Sequence, residues 1–333
     1  MRRGAARAQP QPLRPLPDLP ELLTLRAAAQ GLRLPAHGGA HAARQGPHAS
    51  AQRGRGVEFQ EVRAYVPGDD PRSIDWRVTA RRGRPHTKLF REERERPVWL
   101  LVDLDPLMFF GTRGQLKCAL AVRAAALLAW VAALGADRIG AVIVGGGSAP
   151  GAGPAGLRIV PPRAREAAVP PLLDTLLTMQ PVAPAAHRRG GAPPDAAGAR
   201  GAGGLHAALR ALAALARPGS IVLAISDFAA LDEPLQTHFA TLGVGRECRF
   251  YWITDALEEQ ALPDGRFRAG LPGQVRTLDG ASLRSRWLAA WREREARLRQ
   301  LAQRLAAPIV RLDTRETVQD ALRPLLQGRI SAA

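Results

Sequence analysis

Lysine is almost missing from this chain: of 47 Lys and Arg residues, only Lys88 and Lys117 are lysines. Cysteine is as scarce, with Cys118 and Cys248 far apart among apolar neighbours. That excludes a disulfide framework or a cysteine zinc cluster and predicts two buried thiols in a reducing compartment. Aromatic residues make up 5% of the chain, too few for the interleaved stacking platforms of single-strand nucleic-acid binders. No uninterrupted apolar run reaches the roughly 20 residues of a membrane span; residues 119–134 come nearest, and Arg123 interrupts them. Arg2, Arg3 and Arg7 are followed by Pro10, Pro12, Pro15, Pro17 and Pro20, not by the apolar core of a signal peptide. These absences predict a cytoplasmic protein without a transmembrane segment.

What is present is arginine, alanine, glycine and proline. The formal net charge is +17, and residues 1–97 alone hold 19 Lys and Arg against 10 Asp and Glu, hence +9. Bases and acids are intermixed, so the excess argues only weakly for polyanion binding. The run Arg91-Glu-Glu-Arg-Glu-Arg96 alternates in sign, as a solvated strand or linker does.

Residues 1–52 read as a flexible Pro/Ala/Arg-rich arm with one short amphipathic helix near 19–32. Residues 53–97 read as a β-rich module: apolar and polar residues alternate between turn signals, and Tyr65-Val-Pro-Gly-Asp-Asp70 is a strong turn. From residue 98 to about 330 strands and helices alternate, which predicts an α/β fold with a doubly wound, mainly parallel sheet flanked by helices. Strands are expected at 98–103, 138–144, 157–160, 220–226, 247–253 and 308–312, and helices at 115–134, 164–179, 205–216, 233–242, 281–306 and 317–326. An exposed hairpin is expected at 266–278, and a loose Pro/Gly/Ala loop at 181–201.

The fully apolar strands at 98–103 and 220–226 deliver Asp103, Asp105 and Asp227 to their C-terminal ends, where open α/β sheets keep their sites. A second constellation is Asp69, Asp70, Arg72, Asp75, Trp76 and Arg81. It reads as a docking epitope or acid/base cluster, or as a salt-bridged turn network with Trp76 as an anchor; no nucleophile accompanies the carboxylates. Trp287 and Trp291, at i, i+4 spacing, predict a core-facing stripe on an amphipathic helix. His206 and His238 read as lone helix-surface residues. Gly145-Gly-Gly147 follows a strand, but neither a P-loop nor a dinucleotide fingerprint is present.

Several blocks carry a family resemblance: Glu58-Phe59, Arg63-Ala-Tyr65, Pro67-Gly68-Asp69-Asp70, Arg72-Ser-Ile-Asp75-Trp76 and Thr79-Ala-Arg81; then Val102-Asp-Leu-Asp105, Lys117, Asp137-Arg-Ile-Gly140, Arg217-Pro-Gly and Ile225-Ser-Asp227-Phe. Over about residues 54–326 the chain resembles the bacterial family called domain of unknown function 58. The resemblance implies a von Willebrand factor A-like domain behind a small β-rich module. It also implies partnership with a MoxR-type AAA+ ATPase and with membrane-anchored von Willebrand A proteins. In von Willebrand A domains a D-x-S-x-S turn, a Thr from a second loop and an Asp from a third surround a divalent ion. Here Asp103 and Asp227 match, Asp105 replaces the first Ser, Leu107 replaces the second, and Gly201-Ala-Gly-Gly-Leu205 offers no Thr. A degenerate site holding Mg²⁺ weakly or not at all is the expectation, with no certain cofactor.

The leading expectation is a non-enzymatic adaptor with this acidic edge as its interaction surface. The alternatives are a basic nucleic-acid or anionic-surface binder using the arm and the helix around 284–304, and a metal-dependent hydrolase using the same carboxylates.

Overall fold

The β-branched and leucine-rich run Val98–Val102 can be solvated on neither face, and in the computed structural model it lies at the centre of a six-stranded sheet, each of these residues at most 2% exposed. The structure describes residues 14–34, 57–66, 71–92, 96–145, 156–181, 200–269 and 276–327. They fall into two compact units, one holding the residues before His37 together with those from Arg96 onward, the other lying within Gly38–Glu95.

In chain order the elements of the larger unit are α1 (Leu19–Ala29), β3 (Pro97–Leu104), α3 (Lys117–Leu134), β4 (Arg138–Gly145), β5 (Leu157–Ala164), α4 (Val169–Met179), α5 (Arg200–Leu215) and β6 (Ile221–Ser226). There follow α6 (Glu233–Gly243), β7 (Glu247–Thr254), α7 (Ala256–Gln260), β8 (Arg266–Ala269), β9 (Arg276–Asp279), α8 (Gly280–Leu305), β10 (Ile309–Asp313) and α9 (Val318–Leu326). The smaller unit holds β1 (Val57–Ala64), α2 (Trp76–Arg82) and β2 (His86–Glu92). The sheet order is β10-β7-β6-β3-β4-β5. All pairs are parallel except β4 with β5. The predicted mainly parallel sheet is therefore present, with one antiparallel edge strand.

Alternation along each strand splits the core into two layers. Val98, Leu100, Val102, Ile221, Leu223, Ile225, Tyr251 and Ile253 face the layer covered by α1, α3, α4 and α9. Trp99, Leu101, Val222, Ala224, Phe250 and Trp252 face α5, α6 and α8. Helix α3 is buried along nearly its whole length, because the sheet covers one side and α1, α4 and α9 the other, which is why it is apolar all round. It is long and apolar enough to cross a membrane, yet 94% of it is buried inside the protein.

The N-terminal helix differs from the expected free arm. Residues 14–34 are docked: Leu22, Leu25 and Ala29 join the core, and each buried Leu contributes roughly 1.5–3 kcal/mol. Glu21 receives two bonds from the buried Arg123 guanidinium, at 2.5 and 3.0 Å, and the Trp130 indole donates to the Leu22 carbonyl at 3.0 Å. The arm's stripe of leucines looked short and isolated because its partners lie about a hundred residues downstream.

Other boundaries shift. Strand β5 runs to Ala164, and its helix starts only at Val169, after a 3-10 turn. Pro161 and Pro162 sit within β5, tolerated because it is an edge strand. The hairpin at 266–278 exists as β8 and β9, paired antiparallel. The loop predicted at 181–201 lies almost wholly outside the described residues.

In the smaller unit β1 and β2 pair antiparallel, with a bulge between Phe59 and Glu61. Their connection holds a helix the sequence reading did not place. Asp75 caps α2, accepting from the Arg77 and Val78 amides at 3.0 and 3.2 Å, and Gly83 ends it at φ +68°.

Candidate functional site

The strand order turns at β3, so the loops leaving β3 and β6 diverge across the sheet's C-terminal edge. That is the crevice where open α/β sheets bind ligands. Both loops begin with acids. Asp103, the seventh residue of β3, is 4% exposed, Asp105 7% and Asp227, directly after β6, 6%. Burying three carboxylates is costly unless each is paired, and each has partners.

Asp103 accepts from the Ser226 hydroxyl at 2.6 Å and from the Asp105 amide at 3.1 Å. Ser226 in turn accepts from the Phe228 amide at 2.9 Å. Burial, with Asp227 close by, pushes the Asp103 carboxyl up to about 7. Asp105 accepts from the Leu107 amide at 2.9 Å, starting a 3-10 turn at Pro106–Met108; burial raises its pKa too.

Asp227 accepts from the Ala229 amide at 2.9 Å and forms a very short ion pair with the Lys117 ammonium. Burial alone would raise its pKa, but Lys117 holds it below the usual carboxylate range. The backbone here is pinned as well: Phe228 sits at φ +51°, and the Trp252 indole donates to the Asp227 carbonyl at 3.2 Å.

Lys117 is the first residue of α3 and only 3% exposed. Burial and the positive end of the helix dipole both oppose a cation there. Asp227 and Glu258 reverse that balance: the ammonium donates to both, at 3.1 Å to Glu258, and its pKa stays above the ordinary lysine value. It also lies 5.5 Å from the Phe110 ring centroid, a cation–π distance. Glu258 is fixed by the capping box of α7, accepting from the Asp255 amide at 3.1 Å. Its other oxygen also takes a bond from Arg294 of α8 at 3.1 Å.

The loop between β3 and α3 is clamped from the far side. Asp255, fully buried, accepts from the Thr112 hydroxyl at 2.5 Å, the Thr112 amide at 2.9 Å and the Thr314 hydroxyl at 2.7 Å. Burial would raise its pKa, but these bonds hold it low. Gly114, at φ +73°, presses on Thr314 so closely that a Cβ would collide with the carbonyl. Leu107 stays 66% exposed on this clamped loop. A cavity of about 360 Å³ opens between the β6–α6 loop, α7 and α8, lined by Phe228, Leu231, Glu258, Trp287, Trp291 and Arg294.

Asp103 and Asp227 are thus brought together with Asp105, as the sequence reading expected. A divalent cation does not fit them as they stand. The Asp103 oxygens serve Ser226 and Asp105, Leu107 offers no oxygen, and residues 201–205 lie in α5 without a hydroxyl. Among the described residues no three His, Cys, Asp or Glu side chains are grouped to hold a metal ion.

Gly68, Asp69 and Asp70 lie outside the described residues, and so does the side chain of Glu58. Arg63 donates to the Ala64 carbonyl at 3.1 Å, and the Tyr65 amide donates to the Pro85 carbonyl at 2.9 Å. Arg72 sits in a 3-10 turn at Pro71–Ser73, Asp75 serves as the α2 cap, and Arg81 is exposed on α2. Trp76, expected to be an anchor, is 69% exposed, because it sits at the first position of a helix in which no residue is buried.

Elsewhere, Trp291 stacks on Trp252 at 4.9 Å in the core, whereas Trp287 is half-buried at the cavity, its indole donating to the Glu258 carbonyl at 3.0 Å; the expected core-facing pair holds for Trp291 alone. His206 and His238 are not lone: their Nδ1 atoms lie 3.2 Å apart, and His206 reaches Asp232 at 3.3 Å. Several arginines of α8 are engaged in ion pairs, Arg284 with Asp264, Arg297 with Glu293 and Arg299 with Glu295. Both cysteines are buried and free, their thiols pushed up by burial to about 11 for Cys118 and about 12 for Cys248.

Sequence reasoning missed Ser226, Glu258, Arg294 and the role of Lys117. Two signals were available. Asp255-x-x-Glu258 is a capping-box spacing, and Lys117 is one of only two lysines in an arginine-biased chain.

A family model described as protein of unknown function DUF58 matches residues 61–297. Uncharacterized proteins of Mycobacterium bovis and of two strains of Mycobacterium tuberculosis are each 36% identical over 183 residues, 55% of this chain and 50% of theirs. The chain thus spans about half the length of the curated relatives it matches.

Proposed function

The chain belongs to the family described as protein of unknown function DUF58, and from that premise we propose that it is a non-enzymatic, cytoplasmic protein-interaction partner of a MoxR-type AAA+ ATPase. Membrane-anchored von Willebrand A proteins are further partners in this reading. The sheet order, with only the edge strand β5 antiparallel, supports a von Willebrand A-like assignment. The C-terminal edge between β3 and β6 is its docking surface, a degenerate form of a metal-ion-dependent adhesion site.

One observation carries the reading. At this edge Asp103, Asp105 and Asp227 each accept bonds from this chain, while the apolar Leu107 projects 66% exposed from a loop held rigid by Asp255. Acids committed in this way are poorly placed for general acid–base work. A rigid loop with an apolar tip is suited to a protein partner, because little ordering entropy is lost on docking.

The test is co-purification with a MoxR-type AAA+ ATPase of the same organism, with and without ATP and Mg²⁺. The wild type is expected to form a complex, and Leu107→Glu to lose it while keeping its melting temperature. Absence of a complex under every nucleotide condition would remove the proposal.

A further inference from the structure

We infer that the Lys117 ammonium is the resident cation of the acidic edge, so that the edge excludes divalent ions and docking there is independent of Mg²⁺. The inference starts from an oddity of placement. A lysine at the first position of a helix faces the wrong end of the dipole, and this one is also 3% exposed. Nothing in α3 rewards it: the next charged residue, Arg123, is turned to Glu21 and Gln115. What holds Lys117 is outside its helix. Asp227 comes from the end of β6 and Glu258 from α7, so one ammonium ties together three separate elements at the point where the sheet's winding turns. Bridging oxygens from several loops is what a bound metal does in such a site.

Charge balance points the same way. Lys117 and Arg294 give Asp227 and Glu258 a cation each, while Asp103 and Asp105 beside them are held by hydrogen bonds from this chain. A divalent ion added between them would meet two positive groups and carboxylate oxygens already occupied. Geometry is equally unfavourable. Mg²⁺ demands oxygens at about 2.0–2.1 Å in near-octahedral array, whereas Glu258 stands at hydrogen-bond distance and is anchored by its own capping box. Asp103 cannot turn inward without releasing the Ser226 hydroxyl at 2.6 Å. A lysine also cannot leave and return as an ion does. The edge therefore keeps its counter-charge regardless of the cation supply, and α3, the end of β6 and α7 stay tied together in its absence.

The independence of docking from Mg²⁺ rests on the docking reading above; ion exclusion does not, and it is measured without any partner. The full chain, stripped with EDTA and desalted, is titrated with Mn²⁺ while the resonance of the free ion is followed. The wild type is expected to sequester no Mn²⁺ up to about 1 mM, the weak end of protein cation sites, and to melt at the same temperature in EDTA and in Mg²⁺. Lys117→Ala is expected to take up one equivalent with an affinity at least about 10-fold above any wild-type binding, and to melt higher in Mn²⁺, since a ligand of the folded state alone stabilises it. Lys117→Arg, which keeps the charge, is expected to stay blind to the ion. Uptake of one equivalent by the wild type, reversed by EDTA with a fall in melting temperature, would overturn the inference. So would an alanine variant that folds and still ignores Mn²⁺. If the alanine variant does not fold, Lys117→Ser, equally short and neutral, is titrated in its place with the same uptake expected and the same failure overturning the inference.

Discussion

Replacing Lys117 by methionine keeps the length of the side chain and deletes its charge. The Asp227 carboxylate, buried and accepting from the Ala229 amide, then loses its ion-pair partner and keeps only the more distant Arg294 charge. Glu258 loses less, because Arg294 still reaches it. Removing one partner of a buried pair typically costs 3–5 kcal/mol, and with Glu258 partly retained the lower end applies, ~3 kcal/mol. For a unit of this size that lowers the melting temperature by roughly 6–12 °C. Asp227→Asn alone leaves Lys117 with Glu258 and is expected to cost about half as much. The double variant removes both charges, so its loss should fall short of the sum by ~2 kcal/mol, the coupling of groups in direct contact. Urea unfolding of the four proteins, with midpoints compared at constant slope, measures this cycle. A single loss below ~1 kcal/mol with no coupling, the behaviour of exposed pairs, would refute the claim that this ammonium holds the edge together.

Three further outcomes are expected. Asp103 has its folded pKa raised from 3.8 to about 7, so the folded state holds the extra proton and stability falls as pH rises between those values; Asp103→Asn should flatten that fall and melt higher than wild type at pH 8, with ~4 kcal/mol as the ceiling. Gly114→Ala meets both a left-handed backbone and the Thr314 carbonyl, and should cost at least ~2 kcal/mol in urea unfolding. Asp255→Ala strands the Thr112 and Thr314 hydroxyls and frees the loop carrying Leu107; faster amide exchange at residues 107–112 is expected, with a loss of ~2–3 kcal/mol.

Much of the larger unit was legible because buried parallel strands leave an unmistakable mark. Val98–Val102 and Ile221–Ser226 carry no polar residue until the one that ends them, and the acids that follow could only stand at the sheet edge. The docking of α1 was not legible, since its sequence pattern does not reveal that Arg123 and Trp130, far along the chain, supply its hydrogen-bond partners. Helix α2 was hidden in a stretch read as strands, its identity resting on one local cap at Asp75. At the edge, the carboxylates could be named from position, but their partners could not. Lys117 and Glu258 are brought to Asp227 from over a hundred and about thirty residues away by chain turns that no periodicity encodes. Two clues were usable, the Asp255-x-x-Glu258 spacing and a lysine at position 117 in a chain that uses arginine almost everywhere else.

The account turns on the C-terminal edge being the face that meets a partner. Amide hydrogen exchange of the full chain, alone and with the proposed MoxR-type AAA+ ATPase, reads that face directly. Slowed exchange at residues 105–112, 227–231 and 256–260 is the expected result. A complex that leaves those segments unchanged and protects only residues 57–92 would contradict it.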